Sequence, residues 1–247
     1  MEFCCASSKS TGLKSRMSFT AEQSVDEAPS LEKVFRTLHL VRDNEKIPQV
    51  VETCLRDLAE FLDSVSSFNY FQQLERMSAH KIVLKSMAAL FLNANVQRNG
   101  AFILTKLLEG SEKVRLDFEV LQVHKLVLKI MKSHPQDYCI QAVGCSLVAN
   151  LLRFSKILYQ DLVQENVVDV VLQSMENFAE EDELQIPACQ LLNLLLSCDC
   201  NITELAGLVR TRKHILIMQI MKTHINSGTV LINCKLVING FNSWIES

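Results

Sequence analysis

His80-Lys81-Ile82-Val83-Leu84-Lys85 and His124-Lys125-Leu126-Val127-Leu128-Lys129 are nearly the same six residues, 44 positions apart. Self-similarity at a fixed period of this size marks a stacked-repeat architecture, in which each unit buries its apolar face only against a neighbour. The echo runs well past the hexapeptide. A step of 44 carries Met87 to Met131 and Met175, Gln97 to Gln141 and Gln185, and Gly100 to Gly144 and Ala188. Leu104, Val148 and Leu192 align in the same way, as do Leu107, Leu151 and Leu195. A step of 46 then takes Val168 to His214, Met175 to Met221 and Ala188 to Cys234, which implies a two-residue loop insertion. The same step backwards links Leu84 to Leu38, Gly100 to Cys54 and Leu104 to Leu58. The chain reads as about five units.

Each unit is helical by pattern. Val168, Val171, Leu172 and Met175 fall at i, i+3, i+4 and i+7, one face of a 3.6-residue helix. Leu184, Ala188, Leu191, Leu192 and Leu195 continue the pattern on a longer helix. Between them Ala179-Glu-Glu-Asp-Glu183 places carboxylates where the next helix begins. In the preceding copy, Pro135 ends one helix and Asp137 stands ready to cap the next. His134 and His224 fall in the last turn of a helix, where an imidazole favours the dipole. Short helices are expected ahead of the pairs at Phe68 to Met77, Ile157 to Glu165 and Ile202 to Val209. No segment reads as a strand.

The stretch from Ser155 to Leu196, with an apolar short helix, Asn166 before the second helix, an acidic turn, then Gln185 and a Leu/Asn-rich end, resembles the armadillo repeat. The resemblance covers roughly residues 34 to 247, with the two-helix HEAT repeat as its nearest rival. It implies an all-α, right-handed superhelical solenoid of about five armadillo-like repeats over residues 31–247, behind a leader at 1–30. More narrowly, Glu119-Val-Leu-Gln-Val-His124-Lys-Leu-Val-Leu-Lys129 is similar to segments in the armadillo region of the leucine-rich-repeat kinases. The chain carries no glycine-rich loop and no His-Arg-Asp triplet, so the likeness implies a scaffold relative and not a kinase.

Composition bounds the function classes. Of 247 residues, 48% are hydrophobic and only 6% aromatic, which suits a stack of leucine-rich helices. A net charge of −3 argues against a nucleic-acid surface as the main role. Every apolar stretch is interrupted by Lys, Arg, Glu or Asn, so no transmembrane run is expected. Met1 to Thr20 lacks the apolar core of a secretory signal, which points to a reducing cytoplasmic or nuclear setting. The Asn201-Ile-Thr203 sequon is then idle. The first thirty residues are rich in Ser, Thr, Lys and Glu and read as a disordered leader. Cys4 and Cys5 with basic residues behind them offer an alternative use, tethering to a membrane by acylation.

No chemistry-bearing constellation emerges. Cys145, Cys189 and Cys234 sit among leucines at nearly equivalent places and read as small buried hydrophobes. Cys198 and Cys200 have no second close pair at zinc-finger spacing. His80, His124 and His214 recur with the repeat and so stand about 10 Å apart, one helix-packing distance. Zinc ligands must lie about 2 Å from the ion, so these histidines do not share a metal. Each is expected to begin a second helix and pack at the layer boundary. No catalytic residue, metal site or cofactor is assigned, and an enzyme is the remotest reading.

The armadillo resemblance implies a concave ladder of third helices that holds an extended peptide on Trp and Asn rungs. Counted from the in-register Gln, the Trp place holds Phe102, Ser146 and Gln190, and the Asn place holds Lys106, Asn150 and Leu194. Only Asn150 matches the family pattern, and the first unit offers Arg56 and Glu60. The ladder departs from that of the nuclear-import carriers. The expected groove site is Arg56, Glu60, Phe102, Lys106, Ser146, Asn150, Arg153 and Gln190. Its cations would meet an acidic or extended protein segment, and Asn150 and Gln190 would bond the segment's backbone. The alternative is a structural or dimerising subunit that uses its C-terminal end, where Ile238, Phe241, Trp244 and Ile245 cluster.

Overall fold

In the computed structural model of the chain, the described residues are 31–65, 68–197 and 214–245, with only the backbone described for 68, 214 and 241–245. The leader with Cys4 and Cys5, the Cys198 and Cys200 pair, the sequon and the short helix expected at 202–209 lie outside them. Among the described residues there are thirteen helices and no strand. The first unit is α1 (Leu31–Asp43) and α2 (Pro48–Ser64). Three complete units follow: α3 (Phe68–Arg76), α4 (Ala79–Ala89) and α5 (Ala94–Gly110); α6 (Glu112–Val120), α7 (Val123–Ser133) and α8 (Tyr138–Phe154); α9 (Leu158–Gln164), α10 (Val167–Asn177) and α11 (Asp182–Leu196). The last unit contributes α12 (His214–Thr223) and α13 (Gly228–Ile245). The short helix α6 fits the expected plan of a short helix ahead of each pair, but no segment was singled out for it, because its buried apolar positions are only Val114 and Phe118.

The long third helices α2, α5, α8, α11 and α13 pack side by side in chain order and carry most of the core. In α7 the reason is plain: Val123, Val127, Leu128, Ile130 and Met131 are buried on one side, and Lys125, Lys129 and Lys132 take the other. Asn93 and Asp137 cap α5 and α8, each accepting from the backbone N–H three residues on, at 3.1 Å. The expected cap at Asp137 is therefore present. Glu181 precedes α11 without a side-chain cap, and Asp182 and Glu183 supply negative charge in its first turn.

Three backbone features recur at the repeat period. Ser78, Gln122 and Asn166, which join each short helix to the second, all adopt positive φ near 50–56°. The turn between the two helices needs the left-handed conformation, which only Asn of these three tolerates readily. Gly100 and Gly144 lie against methionines, and a Cβ at either would stand 2.6 Å from the Sδ of Met87 or Met131. In the next unit Ala188 and Met175 stand at the equivalent places, both fully buried.

The repeated glutamine is the internal clamp. Gln97, Gln141 and Gln185 are fully buried, and each Nε2 reaches back to carbonyls at the end of the second helix. Gln141 donates to Met131 O and His134 O, both at 2.9 Å; Gln185 donates to Met175 O at 3.1 Å and Phe178 O at 2.9 Å. Gln97 reaches Met87 O at 2.9 Å and Leu90 O at 3.0 Å. These are carbonyls a helix C-terminus leaves without intrahelical partners. The outer units hold Val51 and Leu231 at the same place, and in the first of them the Asn44 amide serves Leu40 O instead.

Units are tied at both rims. Glu52 accepts from the Asn93 amide at 2.5 Å, and Arg98 grips Asp137 through Nε and Nη2. At the opposite rim Ser111 donates to Glu75 and Ser155 donates to Glu119, one period later. His80 and His124 each occupy the second position of a second helix and are 1% exposed. His80 Nε2 meets Asp117 of the following short helix at 2.9 Å, and His124 Nε2 stands 3.5 Å from Asp161. Burial pushes both imidazoles below their ordinary value, while the facing carboxylates pull the other way. His134 caps α7, and His224 lies just past α12, bonding Ala179 O at 2.6 Å and pairing with Asp182.

Candidate functional site

Neighbouring third helices pack against one another in an unbroken row along the array, and the expected ladder lies on them. Five residues after the repeated glutamine come Phe102, Ser146 and Gln190; nine after it come Lys106, Asn150 and Leu194. On α2 the same positions are Arg56 and Glu60, both exposed.

Tracing the bonds along this face gives a staircase. Asp63 on α2 stands 3.7 Å from Lys106 Nζ on α5, and the same ammonium lies 5.3 Å from the Phe102 ring centroid. Glu109 on α5 accepts from the Asn150 amide on α8 at 3.0 Å. Asn150 Oδ1 accepts from Arg153 at 2.7 Å, and Arg153 donates onward to Gln190 on α11 at 2.9 Å. The rule behind it is positional. Asp63, Glu109 and Arg153 share one repeat position, a helical turn beyond Glu60, Lys106 and Asn150. Each reaches the following unit, and where Leu194 offers no polar atom, Arg153 turns to Gln190 instead.

The structure thus brings Asn150, Arg153 and Gln190 together and keeps Lys106 beside Phe102. It leaves Arg56 and Glu60 apart from them; Arg56 stands 3.9 Å from its own neighbour Asp57. Ser146 is half-buried between the two groups. Sequence reasoning passed over Glu109 and Asp63, although both were visible as the residues one and two periods before Arg153. Asn150 is buried and its amide is engaged, so the groove presents a pre-paired polar ladder in which Arg153 is the exposed member. Such a surface can add hydrogen bonds to an extended chain from Lys106, Arg153 and Gln190 without leaving groups orphaned when empty.

Toward the C-terminal end the same face turns apolar. Ile186 and Leu194 are half-buried, and Ile232 and Leu236 on α13 are exposed. Among the described residues, no group of three or more His, Cys, Asp or Glu is placed to hold a metal ion, and no helix is long and apolar enough to cross a membrane. Cys145 is enclosed by the core, where burial pushes its thiol up to about 12.

Comparison with known proteins adds a family and a fold. A family model described as the LRRK2 ARM repeat matches residues 102–241. No curated protein matches the chain. Among solved structures, the crystal structure of an engineered protein superimposes with a TM-score of 0.57, covering 86% of this chain and 97% of that one at 13% identity. At that identity the likeness concerns the fold alone.

Proposed function

Because the chain belongs to the LRRK2 ARM repeat family, we propose that it acts as a non-catalytic scaffold that holds a protein segment along its row of third helices. The observation that carries this reading is a polar staircase in two flights, Asp63 to Lys106 and then Glu109 through Asn150 and Arg153 to Gln190. It runs across four successive third helices and keeps donors at the surface. An extended segment with carboxylates suits Arg56, Lys106 and Arg153, with Gln190 bonding its backbone and the buried Asn150 holding Arg153 from beneath. The setting that fits is cytoplasmic or nuclear. The test is affinity capture from cells with the full chain beside an Arg56→Glu/Lys106→Glu variant of unchanged helicity. Loss of one partner from the variant supports the groove; an unchanged partner set overturns it.

A specific observation favours a second reading, association through the C-terminal unit. Met218, Ile225, Ile232 and Leu236 are 42%, 69%, 62% and 45% exposed, whereas Leu172 and Leu128, one and two periods before Met218, are 4% and 1% exposed. The last unit thus exposes Met218 where inner units bury a leucine, and on its third helix it places exposed Ile232 and Leu236 one period beyond Ile186 and Gln190. Of the end cluster read from the sequence, Ile238 is half-buried against the core; the side chains of Phe241, Trp244 and Ile245 lie outside the described residues. A second copy is the occupant we assign to this face. Light scattering of the full chain should give a dimer mass that falls to monomer with Ile232→Glu/Leu236→Glu; a monomer at all concentrations refutes it.

A further inference from the structure

We propose that the seam between α7 and α10, on the side away from the groove, is a pocket for an aromatic side chain, phenylalanyl or tyrosyl, supplied by a protein partner. The proposal rests on reading the chain as a binding module, but it concerns a different surface. A cavity of about 330 Å³ opens there, with Met131, Pro135, Val170 and Gln173 among its walls and Gln141 and Ser174 at its floor. That volume lies at the low end of ligand pockets, about 300 Å³ and upward, and matches one ring rather than a large cofactor.

The chain itself shows what fills such a seam. Between α4 and α7, one period earlier, the ring of Phe91 packs 6.5 Å from the His134 ring, with the Lys129 ammonium 5.0 Å from its centroid. When the sequence is advanced by 44, Phe91 becomes Pro135, Leu126 becomes Val170, Lys129 becomes Gln173 and Ile130 becomes Ser174, each smaller, whereas Ala88 becomes Lys132 and Ser133 becomes Asn177, each larger. All six replacements line the cavity. The later seam therefore lacks the aromatic plug of the earlier one and has smaller residues at three places on α10, with longer polar ones at Lys132 and Asn177. Its floor needs nothing from a ligand, because Ser174 Oγ donates to Gln141 Oε1 at 2.5 Å and the Gln141 amide is already engaged. An incoming ring would meet the Met131 thioether and the Val170 and Pro135 carbons, surfaces that favour an aromatic face or edge, within a polar surround that includes Lys132, Asp169 and Asn177.

The probe is p-cresol, the tyrosine side chain as a free molecule, titrated into the full chain with ¹³C-methyl methionine. The expected result is a saturable shift of the Met131 methyl signal, assigned through Met131→Leu, and binding at least tenfold weaker in Pro135→Phe/Ser174→Ile, which refills the seam. Val170→Leu, a milder filling, should weaken binding in the same direction and stands in if the double variant does not fold. No saturable shift, equal affinity in the filled variants, or equal binding of cyclohexylmethanol would each overturn the assignment. A displayed random-peptide selection separates this from the groove reading. Aromatic-anchored sequences should be enriched on the native chain and lost on the filled one. Enrichment that survives filling but vanishes with Arg56→Glu/Lys106→Glu overturns the pocket and leaves the groove standing.

Discussion

Gln141 and Gln185 occupy the same place in adjacent units, yet leucine should cost very different amounts at the two sites. Gln141 makes three hydrogen bonds: two from its amide to Met131 O and His134 O, and one accepted by Oε1 from Ser174. Gln185 makes the two amide bonds, but its Oε1 is buried without a partner. Both carbonyls at the Gln141 site keep a backbone donor when the amide goes, from His134 N and Asp137 N, so neither is stripped bare. Each lost bond then costs about 1 kcal/mol net, whereas removing an unpartnered buried oxygen returns about 1–3 kcal/mol. Gln141→Leu should destabilise by about 3 kcal/mol, whereas Gln185→Leu should change stability by no more than about 1 kcal/mol in either direction, because the second loses two bonds and sheds one orphan. Leucine is close in size and apolar at both sites, so the difference of about 2–4 kcal/mol isolates the acceptor at Oε1. Equilibrium urea unfolding followed by circular dichroism gives the two midpoints. Hydrogen exchange of α7 and α8 against α10 and α11 locates the loss if the transition broadens, as it can in repeat arrays. If Gln185→Leu proves as costly as Gln141→Leu, the partner count does not govern the clamp and the reasoning fails.

Replacing Gln122 with glycine should stabilise the chain by about 0.5–1 kcal/mol, since a glutamine there holds φ at 51°, while Asn166→Gly should change little because Asn accepts that conformation; paired thermal melts decide it. His80 and His124 have imidazole pKa values lowered by burial, so the unfolded chain binds more protons as pH falls below the ordinary 6.5. Stability is therefore expected to be level above pH 6.5 and to decline below it through the lowered folded values, and urea midpoints from pH 7.5 to 5 should lose part of that slope in His124→Leu. Arg98→Leu breaks the two-pronged grip on Asp137 and leaves that half-buried carboxylate to its cap, which should cost about 1–2 kcal/mol and raise exchange at the start of α8.

The period and the helix pattern carried the architecture because a solenoid's core is local: each apolar stripe meets one that lies about 44 residues away and looks like itself. Asn166 and Asp137 were legible as a joint and a cap, since their side chains suit those backbones. Ser78 and Gln122 were not, because nothing in Ser or Gln announces positive φ; only the alignment with Asn166 does. That Asn150, Arg153 and Gln190 fall on third helices was legible, but their bonding to one another and to Glu109 depends on how far one helix slides past the next. A single sequence holds that offset only implicitly. The seam pocket escaped for a related reason. No residue in it is unusual, and the cavity exists as a difference between two seams.

The ties at the rims have a mechanical consequence. Asn93 and Asp137 each serve two masters, since the same side chain starts its own third helix and holds the unit before it. Ser111 does likewise, capping α6 while bonded to Glu75. A unit pulled away from its predecessor would therefore lose the brace on its own first turn, so separation and fraying become one event. Under tension such a chain should yield in jumps of a whole repeat, starting from an end. A spring whose coils are also their own clasps extends in steps and not smoothly.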